Sequence, residues 1–358
     1  MKWSAKLGRF AGIDVYVHAT FLLLLGWVGW SAWTRTGSTA AVTASLTLVL
    51  LLFLCVLLHE YGHALTARRF GIGTRSITLL PIGGLALLES MPRDPRQEIV
   101  VALAGPAVNL AIAAVLYLLI RLADRPGALF ALDPVAGSLL PTLFGANLML
   151  ALFNLLPAFP MDGGRVLRAV LALRMDRVRA TRLAARIGQV LAVGLGILGL
   201  MGDPILLLIA AFVWIGAGAE AGAVATDAGL SHQPAGRAMI TDFHTLAPED
   251  SLARAIDLTL SGSQKDFPVL DGERIAGVVT QPAILRGLRD LGTDGRVAQV
   301  MAPVRTAEVG TPLATLLKTV RSDDTRLVCI TRAGRLAGIV DLDNISEYLR
   351  IQQALAGR

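Results

Sequence analysis

The chain has 358 residues, of which 54% are hydrophobic and only 17% charged, with a formal net charge of +6. That balance excludes an ordinary soluble protein of this size and points to a membrane. Cys55 lies in an apolar run and Cys329 in the polar half, which excludes a disulfide framework.

Six apolar spans are predicted in chain order, at about 16–34, 41–66, 98–120, 137–157, 185–201 and 204–223. The basic residues fall on one side of that map. Lys2, Lys6, Arg9, Arg68, Arg69, Arg75, Arg93, Arg96, Arg165, Arg168, Arg174, Arg177, Arg179 and Arg182 share one face, against Arg35, Arg121 and Arg125 on the other. By the positive-inside rule both termini are expected in the cytoplasm, in a multi-pass protein of the cell membrane. Topology thus accounts for the basic surplus, and no direct nucleic-acid partner is expected. The first span is long and lacks a small-residue cleavage site, so it is expected to stay uncleaved.

The second span ends in His59-Glu60-Tyr61-Gly62-His63. Charged residues within a span cost about 2.5–3.5 kcal/mol on insertion scales, so something must offset these. On a helix His59 and His63 lie on one face, one turn apart, and both imidazoles can reach one metal ion. Zinc suits such ligands, with Glu60 as the base that takes a proton from water. Buried histidines in ordinary hydrogen bonds are the plainer alternative. Cys55, one turn earlier, reads better as a small buried hydrophobe than as a thiolate ligand.

A catalytic zinc site needs a third protein ligand. His18, His232 and His244 are poorer candidates than Asp162, which sits in "FNLLPAFPMDGGRVLRA" where the fourth span ends on the same side as the histidines. Pro157 and Pro160 break the helix, and Gly163-Gly164 permit close backbone approach. Asp162 could equally open the following helix as its cap. Between the two motifs, Leu79–Glu89 is apolar, split by Pro81 and Gly83-Gly84, and too short to span twice. It reads as a strand-like hairpin whose free backbone groups could accept an extended peptide, or as a tight interfacial loop.

His-Glu-Tyr-Gly-His in one span, followed about a hundred residues later by Asn154 and the Pro-Met-Asp-Gly-Gly-Arg run, resembles the site-2 protease family of intramembrane zinc metalloproteases. The resemblance covers residues 1 to about 223. It implies one zinc per chain held by His59, His63 and Asp162, with Glu60 activating water. It also implies substrate or transition-state contacts at Asn154, and at Gly83 and Gly84 in a membrane-inserted β-hairpin. The substrate it suggests is a transmembrane segment of a regulator, such as an anti-sigma factor or a transcription-factor precursor, met within the lipid bilayer.

Beyond a linker at 224–235 the tail repeats itself. Ala238–Leu288 and Val300–Leu349 each read as a short strand, a helix opened by Ser251 or Pro312, two strands across a Gly turn, and a final helix. These look like two CBS motifs, at 236–292 and 293–358, forming one cytoplasmic α/β module. The family implies a regulatory role, adenine nucleotide (ATP or AMP) as a candidate ligand, and dimerisation through the pair. Its nucleotide-contacting pattern is imperfect here. Thr280 stands in the hydroxyl place with Ala283 in the acidic one, while Asp341 and Asn344 occupy those places in the second copy.

The fold expected is therefore a polytopic α-helical membrane domain of about six spans with a short β-hairpin, joined to an α/β CBS pair. A CBS-regulated transporter or channel is the rival reading, and a silent membrane scaffold a further one. Glu60 separates them, because only hydrolysis requires a base between the two histidines.

Overall fold

The computed structural model describes residues 3–81, 83–92, 94–122, 139–231, 233–322 and 327–356. Lys2, Arg93 and Arg125 of the charge map, and His232, lie outside the described residues. The chain divides into two compact units, Met1–Gly222 and Ala223–Arg358.

The first unit opens with strands β1 (Ser4–Phe10) and β2 (Ile13–His18), joined by a tight turn with Ala11 and Gly12 at positive φ. The run "IDVYVH" alternates inward and outward residues, as a half-buried strand must. Helix α1 (Ala19–Thr36) follows directly, and the His18 side chain caps it by accepting the Thr20 N–H. Gly37, at φ 62°, ends α1 in a left-handed turn. Helix α2 (Thr39–Arg69) is capped by Ser38 and carries both histidines near its C-terminal end.

Strands β3 (Thr74–Leu80) and β4 (Gly83–Leu88) form the expected hairpin. It is not isolated. The sheet order is β1-β2-β3-β4, with β2 and β3 parallel and the other pairs antiparallel. Val15 and Ile77 face each other in the β2–β3 register and are fully buried. Strand β4 ends the sheet at one edge, beside α2.

Helices α3 (Pro95–Leu122) and α4 (Leu139–Asn154) pack on α2 and on each other. After α4 the chain leaves helical geometry, then enters the short helix α5 (Asp162–Ala172). Helices α6 (Arg177–Leu200) and α7 (Pro204–Ser231) complete the unit, and the unit boundary falls within α7. A helix stands at each of the six expected spans. Four of them, α2, α3, α6 and α7, are long and apolar enough to cross a membrane, while α4 is apolar but shorter. Leu22, Trp27, Val115, Leu118, Val190 and Ile197 are large apolar side chains left exposed on these helices. An apolar surface of that extent fits lipid as its solvent.

The second unit contains two copies of one motif. The first has α8 (Leu252–Ser261), β5 (Phe267–Asp271), β6 (Arg274–Val279) and α9 (Gln281–Leu291). The second has β7 (Arg305–Glu308), α10 (Leu313–Ser322), β8 (Leu327–Arg332), β9 (Arg335–Asp341) and α11 (Leu342–Ala356). Ser251 caps α8 through its hydroxyl, as expected. The copies are cross-docked. Ile240, ahead of the first copy, bridges Ile339 in β9, and Ala302, ahead of the second, bridges Val278 in β6. Accordingly Val297 belongs to the core of Leu246, Phe267 and Val269, while Leu230 and Ala235 belong to that of Leu313, Ile330 and Val340.

Candidate metal centre

His59 and His63 stand one turn apart on α2, and α5 brings Asp162 against them; all three are buried. The side-chain atoms that converge are His59 Nε2, His63 Nε2 and one carboxylate oxygen of Asp162. Their separations are 3.1 Å between the imidazoles and 3.2 and 3.1 Å from Asp162 Oδ2 to His59 and His63. For a tetrahedral ion with bonds of about 2.0–2.1 Å, the ligand–ligand edge is about 3.3 Å. The triangle has the size that zinc needs.

Proton bookkeeping reaches the same answer. His63 Nδ1 faces the Val101 carbonyl at 2.7 Å, an acceptor only, so it carries the proton and Nε2 presents a lone pair. His59 Nδ1 donates likewise to Asn109 Oδ1 at 2.5 Å. Two lone pairs and a carboxylate thus point at one another in a buried space. A bound cation makes that arrangement favourable. The residues present fit zinc.

The surroundings are built to bring these groups close. Asp162 is the first residue of α5, and Met161, not Asp162, holds the cap position. The carboxylate is therefore free for the histidines. Gly163 and Gly164 let the start of α5 press against the backbone of Leu155, Leu156 and Ala158, where any Cβ would collide. Glu60 is half-buried beside the histidines. Gly84 in β4 lies against it, so that a Cβ there would fall 2.6 Å from Glu60 Cγ. Gly83, at φ 134°, opens β4 and lines an apolar pocket of 420 Å³ together with Val56, Pro81, Met149 and Phe153.

The remaining candidates fall elsewhere. Asn154, at the end of α4, donates to the Leu150 carbonyl. His18 is a helix cap, and Cys55 is a buried thiol that accepts from Asn147 Nδ2 at 3.4 Å. Thr280 caps α9 through its hydroxyl. Asp341 and Asn344 cap α11 reciprocally, each side chain accepting the other's backbone N–H. Cys329 is buried in β8, and burial pushes its thiol up to about 11, far from a reactive thiolate. Three residues of the centre have no counterpart among the sequence candidates: Gly105, Asn109 and Asn147. Their signal is a small or amide residue inside an apolar span.

Comparison with known proteins places this geometry. The model of peptidase family M50 matches residues 47–133 and 131–195, and the CBS domain model matches residues 235–290. A zinc metalloprotease of Methanocaldococcus jannaschii is 30% identical over 353 residues, which is 98% of this chain and 97% of that one. Rip3 of Mycobacterium tuberculosis is 32% identical over 382 residues, covering 98% and 94%. Among solved structures, a site-2 protease from Methanocaldococcus jannaschii is similar at 36% identity, covering 61% of this chain and 95% of that one with a TM-score of 0.45. The chain belongs to peptidase family M50, the zinc metalloproteases of site-2 type, and it is a membrane protein that carries a CBS domain.

Proposed function

We propose that this protein cleaves peptide bonds in or beside the membrane-embedded segments of regulatory proteins, with His59, His63 and Asp162 as zinc ligands and Glu60 as the base. The observation that carries the reading is the buried triangle of acceptor atoms with a free carboxylate next to it. When bound, zinc polarises the scissile carbonyl and acidifies water beside it. Glu60 would take a proton from the attacking water and return one to the leaving amine. Its position beside β4 supports this, since an extended peptide added to that sheet edge would run past it. Unwinding is required in any case, because a helical peptide bond hides its carbonyl in the hydrogen-bond ladder. The 420 Å³ pocket next to Gly83 supports an apolar side chain near the cleavage point. Asn154 would contact the substrate from the end of α4.

In this reading the unit holding α1 to α6 and most of α7 is a multi-pass membrane domain over residues 1–223, with both termini cytoplasmic. The linker at 224–235, whose first part is the end of α7, leads to CBS motifs at 236–292 and 293–358. The pair would modulate cleavage through adenine nucleotide, and that part stands or falls with whether ATP or AMP changes the cleavage rate. Local capping already engages Thr280, Asp341 and Asn344, so a nucleotide would have to share them.

Elemental analysis of purified protein tests the centre. One zinc per chain is expected, lost on His59→Ala, His63→Ala or Asp162→Ala. Glu60→Gln should keep its zinc while losing cleavage by several orders of magnitude. Full zinc in the Asp162→Ala protein would remove that residue from the ligand set.

A further inference from the structure

Asn109 on α3 and Asn147 on α4 are completely buried between helices. A side-chain amide is expensive there unless each of its polar atoms is used. Theirs form a chain. His59 Nδ1 donates to Asn109 Oδ1 at 2.5 Å, and Asn109 Nδ2 donates to Asn147 Oδ1 at 2.8 Å. Asn147 Nδ2 donates to the Leu143 carbonyl at 2.9 Å and to Cys55 Sγ at 3.4 Å.

The direction of that chain is set at its far end. An amide is nearly symmetric in shape, so a flip of Asn109 would fit sterically but would turn an N–H toward His59. The imidazole would then adopt its other tautomer, with a proton on Nε2 aimed at Asp162 and His63. A protonated Nε2 cannot ligate a cation. A backbone carbonyl can only accept. Leu143 O therefore fixes Asn147, Asn147 fixes Asn109, and Asn109 fixes the proton of His59. His63 needs no such relay, because Val101 O does the same work directly.

We propose that Asn109 and Asn147 are positioning residues of the metal centre, relaying the polarity of the Leu143 carbonyl across three helices to set the tautomer of His59. The inference rests on the ligand assignment above, and its test separates the two. Zinc release into a competing chelator is followed for the full-length protein and its variants, alongside the visible absorption of the cobalt-substituted forms. Melting of each metal-free variant controls for a loss of fold.

Asn109→Leu and Asn147→Leu should each weaken zinc retention by about 10–100-fold, the usual effect of losing an outer partner. The cobalt bands should shift while the metal-free melting temperatures stay near that of the parent. Asn109→Asp keeps an oxygen facing His59 and can donate to Asn147 in its neutral form, so it should restore retention. If Asn109→Leu fails to fold, Asn147→Leu carries the test from one residue further out. Unchanged zinc release in Asn147→Leu overturns the relay even though His59→Ala still abolishes binding. Equal loss in Asn109→Asp and Asn109→Leu overturns it as well, since packing alone would then explain both.

Discussion

A methyl group on Gly105 would stand 2.7 Å from His59 Nε2 and closer still to His63 Nε2. Neither ring can swing away without giving up its hydrogen bond to Asn109 or Val101. Gly105→Ala is therefore expected to lower zinc content by roughly tenfold, on the scale of lost outer contacts, with the fold retained. The zinc-to-protein ratio and the helical circular dichroism read the two parts separately. The histidines, Glu60 and Asp162 are legible in the sequence because ionisable groups in or beside an apolar span demand an explanation. Gly105 carries no such cost. Its meaning depends on which residue of α2 packs opposite, and no single-sequence spacing supplies that.

Arg168 does for helix α5 what caps do for α1 and α2, at higher stakes. Its guanidinium is buried, pairs with the buried Glu98 of α3 and with Glu220 of α7, and lies 5.2 Å over the Phe159 ring. Arg177 adds a second charge 3.6 Å from Glu98. Removing one partner of a buried pair strands the other, at about 3–5 kcal/mol. Arg168→Met should destabilise by that order, read as a lower unfolding temperature in detergent. Adding Glu98→Gln should recover part of the loss, and no recovery would show that the pair is not coupled. From the sequence, Arg168 is legible only as one positive charge among many in the charge map. The same blindness hides β1 and β2, because Lys6 and Arg9 of β1 suit a topology signal as well as they suit the exposed face of a strand. Strand β2 is secured by β3, about sixty residues away. Long-range pairing of that kind leaves little trace in local pattern, whereas the β3–β4 hairpin is marked by its own Pro and Gly.

For the whole molecule, the charge map makes a definite statement about sidedness. Both native cysteines are buried, so an introduced thiol can be labelled against a low background. In intact cells an impermeant maleimide should label Thr36→Cys, at the end of α1, and leave Ser263→Cys unlabelled until the cells are opened. The reverse pattern would invert the topology. The tail was legible as a repeat, although among the described residues the opening strand expected of the first copy is reduced to a bridge from Leu246 to Val269. Val297, beyond the last helix of the first copy, completes the core of Leu246, Phe267 and Val269, a crossing of segments that sequence order does not record. That crossing has a consequence for synthesis. The segment that finishes the first copy, up to Ala302, leaves the ribosome soon after β6, so this half can close early. Ile240 must wait for Ile339, about a hundred residues later, with its own docking surface still unmade. During that interval the nascent chain holds Leu230, Ala235 and Met239 without their apolar partners. The vulnerable interval in the synthesis of this unit thus runs from the closing of the first copy until β9 has emerged to receive Ile240.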